Sequence, residues 1–319
     1  MTFDIKLSAD VDPSHLKMLF WGATGTRKTE TGLRYFPHVL MLDVEGNAEH
    51  CTRMPEIPPF LYFPTKDATE ILNIIDAVSA GKIKFPDGSQ VETVIIDSVS
   101  VLWSVQTETA YKRGEARAKK YNKNVEDANP AQLDWVKAKR PLKRIQTQFN
   151  NSNIKYLILV AREKDLWEND KQGNLKVVGQ TIDAIRNIEY EMNLSFHFSS
   201  RDGKWFAQAT KTQGKLGEKF PKECILYDFP ASTLLEYAGT FKAKPQNVAA
   251  DDEEAEKIVE KELAVENRTM KKFIEYAKSK GIKSATEISA ALKGHGFGEF
   301  NIDNWEAMIC AIDDAAMNL

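Results

Sequence analysis

The sequence predicts an α/β fold with a mostly parallel central sheet, followed by a small C-terminal helical domain. The first observation is a set of short apolar runs, such as Val94–Ile96, which are typical of parallel strands buried on both faces. The second is that stretches with helical spacing alternate with these runs over residues 1–240. The third is an acidic, linker-like stretch over 241–264, after which only helical spacing follows over 265–319.

Four strands of the sheet are predicted where an apolar run stops at or just before a glycine or a charged residue. A helix is predicted after Asp67–Glu70, which has the sequence of a capping box, and it should end at Gly81. Further on, residues 170–173 and 201–203 combine Asp with Gly, which predicts antiparallel hairpins in the second half. The four predicted strands are Met18–Trp21, Val39–Leu42, Val94–Ile96 and Tyr156–Val160.

The C-terminal pattern predicts a separate helical module. Asp251–Glu254 begins the acidic part of the stretch that precedes it. From about residue 267 onward, apolar residues recur at helical spacing, and Gly281 and Gly294–Gly296 divide the pattern into roughly three helices. We therefore expect a core over 1–240, an acidic linker over 241–264 and a helical module over 265–319.

Composition narrows the class of protein. Apolar residues make up 42% and charged residues 28% of the chain, as in soluble globular proteins. No apolar run approaches the roughly 18 residues of a membrane span, and residues 1–6 lack signal-peptide features, so we expect a cytoplasmic protein without membrane contact. Cys51, Cys224 and Cys310 are too far apart to indicate a zinc site or a disulfide framework. The net charge of −3 means that any nucleic-acid binding has to come from local patches.

Residues 22–29 have the pattern of a phosphate-binding loop between a strand and a helix. Glycines allow unusual backbone torsions there, and the amides at the helix N-terminus point at phosphate groups. Lys28 would contact the β- and γ-phosphates of ATP, and the Thr29 hydroxyl would bind Mg²⁺. Arg27 replaces the usual glycine before the lysine, and it would either clash with the nucleotide or point outward. The residues predicted to bind ATP are Gly22, Ala23, Thr24, Gly25, Thr26, Arg27, Lys28 and Thr29.

The second part of an ATPase site follows the apolar run Val94–Ile96. Asp97 comes directly after this predicted strand, where a carboxylate can hold Mg²⁺ beside the phosphate loop. An aspartate in this position can also simply cap the helix that follows. Its place about seventy residues after the phosphate loop favours the metal role. The sequence therefore predicts a P-loop NTPase with ATP as its ligand and Mg²⁺ as its cofactor.

These motifs resemble the nucleotide core of RecA-type recombinases. The resemblance covers roughly residues 16–221, and the layout is most similar to phage-encoded RecA-like ATPases of the single-strand-annealing and recombination-mediator group. It depends on the phosphate loop, on Leu42–Glu45 and on Val94–Ser100. In that family the glutamate after the second strand orients the attacking water, which implies Glu45 as the general base. Asp43 stays open as an alternative for this role.

The resemblance also implies two further contacts with the nucleotide. The family has a polar residue that senses the γ-phosphate after the next strand, and here that position is Arg162 or Glu163. It also has a segment that places lysines in the ATP site of a neighbouring subunit, and Ala209–Gln213 is similar, with Lys211 matching and Gln213 replacing a second lysine. A site completed by a neighbour implies a homo-oligomer, either a ring or a filament. Both segments are explained equally well as solvated surface.

Two basic segments with interleaved aromatic residues follow Asp97. Basic side chains neutralise phosphates and aromatic rings stack on unpaired bases, so this composition suits single-stranded DNA. A solvated helix surface has the same composition. A further DNA-contacting loop is expected from Lys164 to Val178, with Trp167 and Lys171. The first basic segment contains Lys112, Arg113, Arg117, Lys119, Lys120 and Lys123 with Tyr111 and Tyr121, and the second contains Lys137, Lys139, Arg140, Lys143 and Arg144 with Trp135 and Phe149.

Together with the resemblance, these features predict an ATP-hydrolysing protein of phage-type recombination or replication. It would act on single-stranded DNA in the cytoplasm of the host cell. The C-terminal helices are a candidate docking site for a single-strand binding protein. The alternative is a nucleotide-gated scaffold or loader with little or no ATP turnover, which would act on a protein partner.

Overall fold

The computed structural model describes residues 15–120, 124–125, 128–170, 173–212, 223–226, 229–239, 270–282, 284–298 and 304–317. The chain divides into two compact units, Met1–Ala250 and Asp251–Leu319. The linker predicted over 241–264 lies outside the described residues, and so do Tyr121, Lys123, Lys171 and Gln213. Among the described helices, none is both long enough and apolar enough to cross a membrane.

The first unit is built around one sheet of nine strands, with helices on its faces. Two short 3₁₀ turns lie at Ala48–Arg53 and Ile188–Glu191. The helices are α1 Lys28–Tyr35, α2 Ala68–Ser79, α3 Val99–Lys120, α4 Gln132–Asn150 and α5 Ala231–Gly239. The strands are β1 Leu16–Gly22, β2 Val39–Asp43, β3 Leu61–Pro64, β4 Thr93–Asp97, β5 Tyr156–Asn169, β6 Leu175–Asp183, β7 Leu194–Arg201, β8 Lys204–Thr212 and β9 Glu223–Ile225.

Parallel pairing brings the carboxyl ends of the central strands to one edge of the sheet. The strand order is β3-β2-β4-β5-β1-β7-β8-β9, with β6 paired to β5. All pairs from β3 through β7 in this order are parallel, whereas β6, β8 and β9 are added antiparallel. The predicted α/β fold with a mostly parallel sheet is therefore confirmed. Since β5 lies between β1 and β4, the ends of β1 and β4 lie beside residues 160–162 of β5, where Gly22 pairs with Arg162 and Asp97 with Val160.

Separate apolar clusters cover the two faces of the sheet. Side chains of β1 alternate between them, so that Met18 and Phe20 lie in one cluster and Leu19 and Trp21 in the other. Phe20 is fully buried and packs against Phe198 of β7 with ring centroids 4.9 Å apart. This burial on both faces explains the continuous apolar runs, and it fixes the strand that leads into the phosphate loop.

Residues 164–178 belong to a hairpin, so the prediction of a loop there is wrong. β5 continues past the sheet, and its antiparallel ladder with β6 runs from Arg162↔Asp183 to Asn169↔Leu175. The described residues around the turn predicted at 170–173 bond to each other, since the Asp170 N–H donates to the Asn174 carbonyl (2.8 Å) and the Gly173 N–H donates to the Asp170 carbonyl (3.0 Å). The residues on either side of that turn pair with each other as strands instead of forming an open loop. The second predicted hairpin, at 201–203, joins β7 to β8 as expected.

Helix α2 begins at the predicted cap, but the capping box is not reciprocal. The Asp67 carboxylate accepts a hydrogen bond from the Thr69 N–H (2.7 Å). The Glu70 carboxylate does not bond back to Asp67, because it accepts the hydroxyl of Thr65 instead. Thr65 in turn accepts the Asp67 N–H (3.0 Å). An upstream threonine therefore takes the place of the glutamate in satisfying the first backbone donor.

The second unit contains, among its described residues, helices α6 Met270–Ser279, α7 Ala285–Gly294 and α8 Trp305–Met317. Ser284 caps α7 by accepting the Glu287 N–H, and the Glu287 carboxylate accepts the Ser284 N–H (both 3.1 Å). The apolar positions of the three helices form a core of their own, which includes Phe273, Ala277, Ile288, Leu292, Met308 and Ile312.

Gly22 cannot be replaced without distorting the junction of β1 and the phosphate loop. It has φ 146°, and a Cβ placed there would overlap the carbonyl oxygen of Phe198 on β7. We expect Gly22→Ala to lower the free energy of unfolding by about 3 kcal/mol or more, measured by denaturant titration. Gly25→Ala is the matched control, because φ is 77° there but no atom lies within 4 Å of the added Cβ. Equal stability of the two variants would contradict the close approach of β7.

Candidate functional site

The phosphate loop joins β1 to α1 and folds around the side chain of Lys28. Positive φ angles at Gly22 (146°), Gly25 (77°) and Arg27 (62°) curve the backbone. The Lys28 ammonium donates to the carbonyl oxygens of Gly22 (2.9 Å) and Ala23 (2.6 Å), so it lies inside the curve. Burial lowers the pKa of Lys28, while the carboxylates of the site oppose that shift. A phosphate group would give this desolvated ammonium an anionic partner.

Arg27 points outward, which decides between the two orientations that the sequence left open. Its guanidinium carbon lies 3.7 Å from the ring centroid of Trp205, and one guanidinium nitrogen is 3.5 Å from the Glu30 carboxylate. The Trp205 indole N–H donates to the Gly25 carbonyl (3.1 Å). These contacts keep the arginine side chain out of the curve of the loop, so it does not clash with a ligand there.

Thr29 and Asp97 meet at the carboxyl edge of the sheet. The Thr29 hydroxyl donates to Asp97 Oδ2, and Asp97 itself is 8% exposed. Burial raises the pKa of the Asp97 carboxyl to about 6, although the hydrogen bond from Thr29 lowers it. A hydroxyl and a carboxylate are the oxygen ligands that Mg²⁺ prefers, and a cation beside Asp97 would favour its ionised form. The residues of the site therefore fit Mg²⁺.

Glu45 follows β2 and faces the same pocket. Its Oε1 accepts hydrogen bonds from Arg162 Nε (2.9 Å) and from the Ser98 hydroxyl. Burial raises the pKa of Glu45, but these two hydrogen bonds, the charge of Arg162 and a hydrogen bond from Asn47 together hold the pKa below its usual value. Arg162 is itself positioned by the Ser100 hydroxyl, which accepts its backbone N–H (2.8 Å). Glu45 and Arg162 therefore form an ion pair at the edge of the sheet.

Asp43, the alternative to Glu45, is occupied by the backbone of its own turn. Its Oδ1 accepts the N–H groups of Glu45 (3.1 Å) and Gly46 (2.7 Å). Its Oδ2 accepts the Ala48 N–H (2.8 Å) and the Tyr62 hydroxyl (2.9 Å). With both oxygens used twice and 2% of its surface exposed, Asp43 shapes the turn that presents Glu45.

Most of the side chains described above line one pocket. Its volume is about 190 Å³, and the pocket is open to solvent on one side. It combines the anion-binding helix N-terminus of α1 with a cluster of carboxylates beyond the phosphate loop. The residues that give it this character are Lys28, Thr29, Glu45, Asp97, Ser98 and Arg162.

Lys211 and Glu163, two of the residues predicted to contact the nucleotide, bond to other residues of the chain. Lys211 lies within β8, and its ammonium donates to the carbonyls of Glu189 (2.7 Å) and Tyr190 (3.1 Å). Glu163 pairs with His197 Nε2 at 2.9 Å. Of the two candidates after the apolar run of β5, Arg162 is thus the one that lines the pocket. The role of Lys211 in a neighbouring subunit stays a prediction.

The described residues of the two basic segments lie in α3 and α4, which pack against each other. Phe149 is fully buried and packs on His15 with ring centroids 5.0 Å apart, so it cannot stack on a base. Trp135 packs on Tyr111 at 5.7 Å and thereby helps to join the two helices. Phe149, Trp135 and Tyr111 therefore contribute to packing within the protein. The basic residues that are exposed on α3 and α4 are Lys112, Arg113, Arg117, Lys119, Lys120, Lys137, Lys139, Arg140 and Lys143.

Sequence reasoning missed two residues that contact the site. Ser98 belongs to the motif at the end of β4 but has no signature of its own, yet its hydroxyl bonds to Glu45. Trp205 is 180 residues from its partner Gly25, and no local pattern connects the two. The only signal was the predicted hairpin at 201–203, which places Trp205 near a turn but does not say what the turn lies against.

The comparison with known proteins agrees with this geometry. A family model described as an AAA domain matches residues 14–198, which is more than half of the 319-residue chain. The match extends from β1 into β7 and includes the phosphate loop, Glu45, Asp97 and Arg162. No curated protein matches the sequence. AAA domains are nucleotide-binding ATPase domains that use ATP and usually Mg²⁺. The chain therefore belongs to the AAA-domain family of P-loop ATPases.

Proposed function

We propose that this protein is a Mg²⁺-dependent ATPase that acts on single-stranded DNA in phage-type recombination or replication. The observation that carries the proposal is the convergence of Lys28, Thr29, Asp97 and Glu45 on one pocket at the carboxyl edge of the parallel strands. This edge is where open α/β sheets bind their ligands. Assembly into a ring or filament and docking of a single-strand binding protein on α6–α8 belong to the same proposal.

Each side chain of the pocket has a distinct role in this ATPase. Lys28 and the loop amides bind the β- and γ-phosphates. Thr29 and Asp97 would hold Mg²⁺, which neutralises phosphate charge when it is bound. Because its pKa is low, Glu45 is ionised at neutral pH, so it can orient water and accept its proton. Arg162 is placed to stabilise negative charge on the γ-phosphate once it leaves Glu45.

The ion pair between Arg162 and Glu45 favours one alternative function. While the pair is closed, Oε1 of Glu45 already accepts hydrogen bonds from Arg162 and Ser98. That oxygen then has little capacity left to accept a proton from water. If only a partner opens the pair, the isolated protein binds ATP with little turnover. It would then be a nucleotide-gated scaffold or loader.

The basic helices support the DNA part of the proposal. α3 starts two residues after Asp97, so the proposed metal site and the basic helix pair are continuous in the chain. Lys137, Lys139 and Arg140 of α4 are all exposed, as phosphate-contacting side chains have to be. A change at Asp97 on nucleotide binding can therefore reach the surface that would hold DNA.

Neutralising the basic face tests this part directly. We expect the triple variant Lys137→Gln, Lys139→Gln, Arg140→Gln to weaken binding of a fluorescent oligothymidylate in anisotropy titrations at low salt. The slope of log affinity against log salt should fall by about 0.7 for each DNA phosphate that the variant no longer neutralises. The matched control neutralises Lys66, Lys82 and Lys84, which are exposed outside α3 and α4. Equal affinities and slopes for the two variants would overturn the assignment of DNA to α3 and α4.

A further inference from the structure

Trp205 reaches the phosphate loop from β8 and has no role in the ATPase described above. Its indole N–H donates to the Gly25 carbonyl (3.1 Å), and its ring lies against the Arg27 guanidinium, 3.7 Å from centroid to carbon. The antiparallel β7–β8 ladder pairs Trp205 with Ser200, and β7 in turn pairs with β1. Trp205 is therefore attached to the same rigid sheet from which the loop emerges.

The two contacts hold the loop on both sides of Thr26. Gly25 is fixed through its carbonyl, and Arg27 is fixed through its side chain. Between them, the Thr26 hydroxyl donates to the Ala23 carbonyl (2.8 Å), which closes the curve. The segment that has to present its amides to phosphate is thus anchored before Lys28 begins α1.

Arg27 needs such an anchor more than a glycine would. Its φ of 62° lies in the left-handed region, which glycine adopts freely and arginine does not. An arginine side chain next to the phosphate site could also turn inward and take the place of the ligand. The contact with Trp205 opposes both outcomes, because it favours the left-handed backbone and keeps the guanidinium outside.

We propose that Trp205 is a positioning residue for the phosphate loop, and that Trp205 and Arg27 together replace the glycine usual before the lysine. This inference rests on the proposed function, since it takes MgATP as the ligand of the loop. Holding the loop in its binding shape reduces the ordering that the ligand would otherwise impose. Trp205 is not among the residues that line the pocket. Its replacement should therefore raise Kd and KM for MgATP far more than it changes kcat.

The test is a double-mutant cycle on Trp205 and Arg27, with MgATP affinity measured by titration of a fluorescent ATP analogue. We expect Trp205→Leu to weaken binding about tenfold, because it removes the cation–π interaction and one hydrogen bond. Arg27→Gly alone should weaken binding less than Trp205→Leu does, because glycine adopts the required backbone without an anchor. Adding Arg27→Gly to Trp205→Leu should improve the weakened affinity by about threefold or more.

A second aromatic pair on the same hairpin provides the control. The Arg201 guanidinium lies 4.2 Å from the ring centroid of Phe206, and Phe206 does not line the phosphate pocket. Phe206→Leu removes a similar interaction from β8, so it should leave MgATP affinity unchanged. Trp205→Phe keeps a ring against Arg27 without the N–H and should fall between wild type and Trp205→Leu. Melting curves without nucleotide identify any general loss of fold.

The outcomes separate the inference from the function on which it rests. Wild-type affinity in a folded Trp205→Leu variant overturns the role of Trp205 alone. The role of Trp205 is also overturned if adding Arg27→Gly fails to reduce the loss of affinity in Trp205→Leu. It is likewise overturned if Phe206→Leu causes the same loss. A wild-type protein that binds no MgATP overturns the proposed function, and the inference falls with it. The structure predicts that Trp205→Leu raises KM at nearly constant kcat, and that adding Arg27→Gly lowers KM again.

Discussion

Glu45→Gln is expected to lower kcat for ATP hydrolysis about a hundredfold or more, because a general base typically contributes about 10²–10⁴-fold. Glutamine keeps the shape of the side chain and can still accept the hydrogen bonds of Arg162 and Ser98. It cannot accept a proton from water. ATP affinity should change by less than about threefold, since in the proposed role the side chain would contact the reacting water and not the nucleotide. Steady-state phosphate release gives kcat, and a nucleotide titration gives the affinity.

Asp43→Asn is the informative comparison for this variant. Asp43 accepts four hydrogen bonds from its own turn and from Tyr62, and it is almost fully buried. Its replacement should lower the melting temperature, whereas Glu45→Gln should leave it nearly unchanged. A Glu45→Gln enzyme that turns over at the wild-type rate would contradict the general-base role. Loss of turnover in Asp43→Asn at an unchanged melting temperature would favour Asp43 as the general base.

Lys28→Ala is expected to weaken ATP binding about a hundredfold. A charge-assisted contact to phosphate contributes about 3 kcal/mol, which corresponds to roughly that factor. The fold should survive the substitution. Burial lowers the pKa of Lys28, because its charge is poorly solvated in the free protein, so removing that charge should cost the fold little stability. Calorimetric titration with MgATP measures the affinity directly. The rise in melting temperature that saturating MgATP gives the wild type should disappear.

Lys66→Ala serves as the control for the charge alone, because Lys66 is exposed and does not line the phosphate pocket. It should keep both the affinity and the ligand-induced stabilisation. Wild-type affinity in a folded Lys28→Ala protein would show that the loop does not bind phosphate in the way the pocket indicates.

Features with a local signature could be predicted from the sequence. The phosphate loop is one of these, because glycine, lysine and threonine at fixed spacing define its backbone and its chemistry together. The buried strands are another, since a run such as Val94–Ile96 is apolar on both faces only when both faces are covered. Asp97 follows from these two, because parallel strands end at the same edge.

Features decided by the particular hydrogen-bond partners of a side chain could not be predicted. Asp43 ends β2 and Glu45 follows two residues later, and only the four hydrogen bonds to Asp43 show which carboxylate is committed to structure. Arg162 and Glu163 are adjacent, and the partners that separate them are Glu45 and His197. Such partners lie more than thirty residues away along the chain, where no local pattern reports them.

The hairpin at 164–178 shows a different limit. Its turn was visible in the sequence, but its strands project beyond the sheet and expose side chains such as Trp167, which is 53% exposed. Without a buried face, the alternation of apolar and polar residues that marks most strands is weak. Cross-strand pairing holds these residues in place, and that pairing has no signature in a single segment.

The most direct test of the proposed function is Mg²⁺-dependent phosphate release by the wild-type protein at low salt, with and without single-stranded DNA. Lys28→Ala and Glu45→Gln are measured beside it, and chelation of Mg²⁺ gives the background. We predict turnover that DNA stimulates and that either substitution or chelation abolishes. Turnover that ignores DNA would contradict the DNA part and point to a motor directed at protein. Tight MgATP binding without turnover in any condition would contradict the ATPase itself and leave a nucleotide-gated scaffold.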